Sequence, residues 1–261
     1  MLLVAASSPA VFAQAISPLD PPSTERYLKW GPFRVRPGLT IPNLGYDTNV
    51  FYRPDNTDPT KPQVGDYFVA LAPRVEGVVL FGHRAFLTFD ERIEFYAYAR
   101  QTELDYFNQF GAARLTVPFR RFGVYGDIGY NRTRDRPIEA QDARPIRKEF
   151  PLGAGLILKL GWRTDAELGL TRIRYSANDP DQAGIDILND RVDNGTRLRA
   201  RYLAFGRTRL LLDTSRRTIR FDDPTTALLR DGNERRVLVG LDFGLGGRVF
   251  GTARAGVSGL P

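Results

Sequence analysis

Apolar and polar residues alternate with a period of two along most of this chain, in runs of about 10–15 residues. That period places alternate side chains on opposite faces of a strand, so each run predicts a strand with one apolar and one polar face. Over 66–81 one face carries Tyr67, Val69, Leu71, Pro73, Val75, Val79 and Phe81, and the other carries Arg74 and Glu76. Over 85–100 Leu87, Phe89, Ile93 and Phe95 oppose Thr88, Asp90, Arg92 and Glu94. The same split recurs over 110–119, 122–131, 150–160, 196–205 and 236–245. Two places break the pattern: Glu91 falls on an apolar face, and the phase slips near Thr171-Arg172, which predicts a bulge.

Short turn signals recur at Gly82-His83-Arg84, Arg120-Arg121, Gly161-Trp162-Arg163, Gly206-Arg207 and Gly246-Gly247, spaced 39, 41, 44 and 41 residues apart. Between them lie longer Asp-, Asn- and Pro-rich stretches at about 52–65, 101–108, 133–147, 177–194 and 222–234. The unit is strand, tight turn, strand, long loop, an antiparallel up-and-down meander. One strand at about 32–45 and ten more ending near 258 make about eleven.

Alternation alone fits a soluble sandwich, which buries its apolar face, or a membrane barrel, which turns that face to lipid. Three features favour the barrel. The strands exceed the usual five or six residues of globular strands and match tilted membrane strands of about 9–11 or more. Phe81, Phe119, Phe122, Trp162, Phe205 and Phe250 crowd the tight turns like an interfacial girdle. The loops are short at one end and long at the other, as in outer-membrane barrels. The expected fold is therefore all-β, an antiparallel up-and-down transmembrane β-barrel over 32–261. Single-chain bacterial barrels normally have even strand numbers. An odd count, with an end at Gly259-Leu260-Pro261, leads to the expectation of a partial barrel lacking C-terminal strands.

Residues 1–15 are uncharged and apolar and end in Ala13-Gln14-Ala15, the pattern of a signal peptide with its cleavage site. Residues 16–31, rich in proline, read as an extended periplasmic lead-in, too short for a plug domain. Export to the Gram-negative outer membrane is the expected location, with membrane lipid and lipopolysaccharide as surroundings.

The 261 residues include no cysteine, which excludes disulfides and thiolate chemistry. No run of 18 apolar residues predicts a membrane helix, and barrel strands would not produce one. A net charge of +7 raises a nucleic-acid reading, but the basic residues alternate with apolar ones instead of forming one basic surface, so no nucleic-acid partner is expected. The one histidine, His83, sits in a tight turn, which leaves no support for Ser-His-Asp or Cys-His chemistry or a zinc site. Asp90 and Glu94 share a face with Arg92 and read as an ion-pair ladder, not a hydrolytic pair. Gly244–Gly247 lacks the lysine of a phosphate loop, and 177–194 lacks the EF-hand pattern. No enzymatic activity, catalytic residue, metal or cofactor is expected.

The polar faces carry Arg74, Glu76, Asp90, Arg92, Glu94, Arg114, Asp127, Lys159, Arg197, Arg199, Arg201, Asp242 and Arg254. These are the expected lumen-lining charges. Their excess of cations predicts a mildly anion-favouring pore, unless salt bridges neutralise the wall.

Just after the first strand (FRVRPGLTI, 33–41) the chain reads Gly45-Tyr46-Asp47-Thr48-Asn49-Val50-Phe51. This segment resembles the start of the β-barrel porin-2 family and related outer-membrane barrels, some encoded beside surface-polysaccharide export systems. The letters match only over this segment; the style of long hairpins matches most of 32–258. The resemblance implies a non-enzymatic barrel passing small polar or anionic solutes, or serving polysaccharide export, and supplies no catalytic residues. The chain is shorter than usual members. The alternative is a structural or adhesive barrel acting through its long loops. From the residues themselves, Asp47 and Asn49 predict turn hydrogen bonds, and Tyr46 and Phe51 outer-interface aromatics.

Overall fold

The computed structural model describes residues 19–51, 62–134, 145–178, 190–206, 208–224, 227, 230–245 and 249–259. The leader reading of 1–15, the turn residues Arg207, Gly246 and Gly247, and the side chains of 244–250, Phe250 included, lie outside what is described. Twelve strands follow in order: β1 (Leu28–Trp30), β2 (Phe33–Asp47), β3 (Asp66–Phe81), β4 (Ala85–Tyr98), β5 (Tyr106–Pro118) and β6 (Phe122–Thr133), then β7 (Ile146–Lys159), β8 (Thr164–Asn178), β9 (Arg191–Phe205), β10 (Thr208–Phe221), β11 (Gly232–Leu245) and β12 (Val249–Gly259). Each pairs antiparallel with the next, forming one up-and-down sheet. The sheet is open, with β1 and β12 as its edges.

All eleven long strands of the sequence reading are present. The twelfth is β1, three residues inside the lead-in, folded back on β2 across Gly31 at φ 56°. Alternation is unreadable over three residues, so periodicity missed it. Several strands also run further into the polar stretches than expected: β5 starts at Tyr106, β9 at Arg191 and β11 at Gly232. The backbone ladder there continues past the point where apolar residues stop. Gly45, Tyr46 and Asp47 close β2 instead of following it.

The bulge expected near Thr171-Arg172 is absent. β8 pairs in unbroken register with β7 and β9 through that point. Arg172 and Arg174 stay on the face of Leu168 and Leu170; the composition of that face changes, not its phase. The register shifts that do occur lie between Thr40 and Asn43, around Pro42, and between Thr208 and Arg209. A proline has no N–H for the ladder, which makes a bulge the natural place for it.

Tight turns join the strands at one end. Gly82 and Gly206 adopt φ 62° and 54° there, a left-handed conformation that a Cβ penalises by about 1–2 kcal/mol. Gly161 has open space around it and no positive φ. Gly82→Val should therefore lower the urea unfolding free energy by about 1–2 kcal/mol. Gly161→Ala should stay within about 0.5 kcal/mol of the parent.

Candidate functional site

Strand parity fixes two faces. In β3 the even residues, including Arg74 and Glu76, share a face with Asp90 and Arg92 of β4, and the register carries that face across the sheet to Asp242 and Arg254. All thirteen charged residues singled out from the sequence fall on it: Arg74, Glu76, Asp90, Arg92, Glu94, Arg114, Asp127, Lys159, Arg197, Arg199, Arg201, Asp242 and Arg254. The opposite face carries most of the exposed aliphatic and aromatic residues.

Accessibility is inverted relative to a water-soluble protein. Among the described residues thirty-four large hydrophobic side chains are exposed, Val239 to 60% and Leu241 to 41%, whereas Glu76, Asp193 and Asp213 are buried, the last to 1%. A flat open sheet would expose both faces alike. Here the charged side chains cover one another through ion pairs between neighbouring strands, while the large apolar ones stand exposed.

The sheltered charges pair into chains across the strands. Glu76 accepts from Arg36 and Arg74, and Arg74 also binds Asp90 in a fork, with Nε 2.9 Å from Oδ1. Arg92 meets Glu94 at 3.2 Å, and Arg114 Nη2 lies 3.0 Å from Asp127 Oδ2. Arg197, Arg199 and Arg201 are answered by three carboxylates on the flanking strands. Arg197 Nε donates to Asp213 at 2.9 Å, Arg199 Nε reaches Asp213 at 3.1 Å, and Arg201 binds Asp165 and reaches Glu167 at 3.2 Å. A further chain joins Arg191, Asp193, Arg217 and Glu234.

Several of these partners escaped the sequence reading. Asp165, Glu167, Asp193, Asp213 and Glu234 each sit on the polar parity of their strand, which is the signal that would have found them. They alter the charge balance. Strands β2–β12 place 15 cations and 13 carboxylates on this face, against the eight cations and five carboxylates singled out from the sequence, so the positive excess is two and proportionally smaller than expected. The arginines mainly brace the wall.

Aromatic and glycine residues complete the surface. The Tyr125 hydroxyl donates to Glu167 Oε1 at 3.0 Å, and its ring lies over Gly155, where a Cβ would stand 2.4 Å from the ring and 2.5 Å from the Leu168 carbonyl oxygen. The lead-in enters the same face at the tight-turn end. Leu19 is buried against Tyr125 and Ile157, over Gly123. Tyr27 packs on Val78 and Phe86, with its hydroxyl 3.3 Å from Glu76 Oε2. Burial, then the Glu76 carboxylate, push the Tyr27 phenol above its ordinary pKa. Residues 19–27 thus form a strap from β6–β7 to β3–β4, which the sequence showed only as proline-rich.

At the long-loop end the segment 45–51 behaves structurally. The Asn49 N–H donates to Asp47 Oδ1 at 2.9 Å, the Asx turn expected there. Val50 is fully buried and its N–H donates to the Val64 carbonyl at 2.9 Å. Gly45 faces the Phe68 ring, and Tyr46 packs on Tyr67 with ring centroids 4.7 Å apart on the apolar face. Phe51 closes the described part of this segment. His83 is exposed in its turn, seven residues along the strands from Glu76 and from Asp90, the nearest members of the ion-pair chains. Glu91, on the apolar face, accepts from Gln109 Nε2 at 2.7 Å and lies against Gly111, which leaves room for it.

No group of three or more metal-ligating residues occurs among the described residues. Removing Asp213 should leave Arg197 and Arg199 sheltered without their shared anion. Asp213→Ala is expected to cost about 2–4 kcal/mol in urea unfolding, and Asp213→Glu less. Gly155→Ala should cost about 1–3 kcal/mol, because the added Cβ meets both the Tyr125 ring and the Leu168 carbonyl oxygen, a backbone atom that cannot move aside. No family model matches the chain, and the searches of curated proteins and solved structures likewise gave no match.

Proposed function

We propose that this chain forms the wall of an outer-membrane β-barrel of the porin type, passing small polar solutes without enzymatic chemistry. The observation that carries the reading is the inverted accessibility of the two faces. Soluble monomers seldom expose contiguous apolar patches beyond a few hundred Å². A sheet whose apolar face is the open one needs an apolar solvent, and lipid is that solvent. In lipid every backbone N–H and C=O must be paired, which an antiparallel wall achieves once its edges meet.

The aromatic residues support the same reading. On the open face Trp30, Phe33, Phe81, Phe119 and Phe122 gather near the tight turns. Tyr46, Tyr67, Phe95, Phe107, Tyr130 and Phe150 gather towards the long loops, with ring contacts linking neighbours. From Phe150 to Leu160 is ten residues along β7. At about 3.3 Å per residue and a tilt of about 40°, that spans about 25 Å, the height of a barrel's apolar band.

With its charges nearly balanced, the wall favours weak ion selectivity with at most a slight anion preference. Passage of a polysaccharide, as the family resemblance implies, is compatible with such a polar, braced surface. The strap of residues 19–27 favours a second reading, in which the barrel is closed at the tight-turn end and acts through its outer loops.

Three measurements test these readings. Trp30 and Trp162, both exposed on the open face or its turns, should shift their fluorescence to the blue when the full chain is added to phosphatidylcholine vesicles; emission that stays water-like, with protein left in the supernatant, refutes the membrane reading. Val239→Arg should cost about 2–4 kcal/mol of folding stability in those vesicles, as at a bilayer midplane, and a negligible cost argues for water on that face. In planar bilayers the parent should conduct with a small reversal potential under a salt gradient. If the parent is silent and Leu19→Asn with Tyr27→Ser opens it, the closed reading holds.

A further inference from the structure

The open face of β7–β11 is not uniformly apolar. Towards the long loops it carries Lys148, Arg172, Arg174, Arg216, Arg220 and Arg235. All seven carboxylates of these five strands lie on the other face. Across β2–β12 the open face holds a single acid, Glu91, on β4. Only Arg174 has an ion-pair partner among the described residues, Asp222 at 3.5 Å. Nothing in the wall neutralises the rest, unlike the arginines of the sheltered face.

A groove of about 680 Å³ lies in this zone. Arg172 on β8 and Arg216 on β10 flank it, two strands apart and two residues offset along the strands, so their Cα atoms are about 12 Å apart. Between them run Asn194 and Thr196 of β9, with Thr218 beside Asn194. Arg172 pairs across the strands with Asn194, and Thr196 with Arg216. Leu152, Ala154 and Leu170 form its aliphatic side, Gly153, Thr171 and Gly195 complete the lining, and the next row towards the tight turns is Leu156, Leu168 and Leu198. Two guanidinium groups, a set of hydroxyl and amide donors and an aliphatic slope form an amphiphilic cradle.

The geometry points to a binding site for a net anionic, phosphate-bearing membrane lipid, its phosphate held between Arg172 and Arg216 and its acyl chains lying along Leu152, Leu170 and Leu168. Charge complementarity selects the occupant. Guanidinium pairs bind phosphate oxygens with forked, charge-assisted hydrogen bonds. A second copy of this chain offers only Glu91 on its own open face, which is too little acid for six cations. The site marks the level at which the open face passes from acyl chains to headgroups, and so rests on the membrane reading above.

The test uses the full chain in detergent, with lipid retention read by native mass spectrometry. The parent should retain dimyristoyl phosphatidylglycerol about tenfold over dimyristoyl phosphatidylcholine. Arg172→Gln with Arg216→Gln should abolish that preference, and Arg172→Lys with Arg216→Lys should keep most of it. Excess inorganic phosphate should not displace the lipid, because it lacks the chains. As a check on the parent itself, a photoreactive phosphatidylglycerol should crosslink within β8–β10. An unchanged preference in the glutamine pair, displacement by inorganic phosphate alone, or crosslinks spread evenly over the strands would each overturn the proposal. A chain that enters phosphatidylcholine vesicles yet shows no anionic preference sinks this site alone. A chain that enters no vesicle sinks the membrane reading with it.

Discussion

The whole structure depends on register in the antiparallel ladder. With side chains alternating strictly along each strand, a slip of one residue would exchange every inward and outward side chain. Here that exchange would turn Arg197, Arg199 and Arg201 to the open side and Leu198 and Ala200 to the sheltered one. The two faces are so different that few alternative pairings survive. Ion pairs between neighbouring strands reinforce the choice, since Asp213 meets Arg197 and Arg199 only in the register observed.

The same ladder explains why the polar face holds so many charges without a large net charge. Sheltered charges without partners are costly, and each carboxylate reached by an arginine relieves that cost. Asp165, Glu167, Asp213, Asp193 and Glu234 occupy the places where arginines of β9 and β10 would otherwise stand alone. Glycines at Gly153, Gly155 and Gly169 leave space for larger neighbours on adjacent strands, as Tyr125 shows. The strap of Leu19 and Tyr27 then settles on apolar ground at the tight-turn end, where Val78, Phe86 and Ile157 replace the charges.

Three zones follow one another along the open face. Aromatic residues border the tight turns, aliphatic residues fill the middle, and a second aromatic row gives way to uncompensated arginines near the long loops. This ordering accounts for the apparent break at Thr171-Arg172. The strand crosses from the aliphatic zone into the cationic one while its phase continues, and a reading based on hydrophobicity alone interprets such a crossing as a slip.

The sequence by itself determined the eleven long strands, their up-and-down order, the tight-turn and long-loop ends, and the parity of every charged residue it singled out. It could do so because period two and turn chemistry are local properties, written within a few residues of each other. Tertiary structure alone decided which carboxylate answers which arginine, that β1 folds back on β2, that residues 19–27 cross the sheltered face, and that Arg172 and Arg216 flank one groove. Those facts join residues from different strands, and their distances are set by the register between strands, which no single segment of the chain contains.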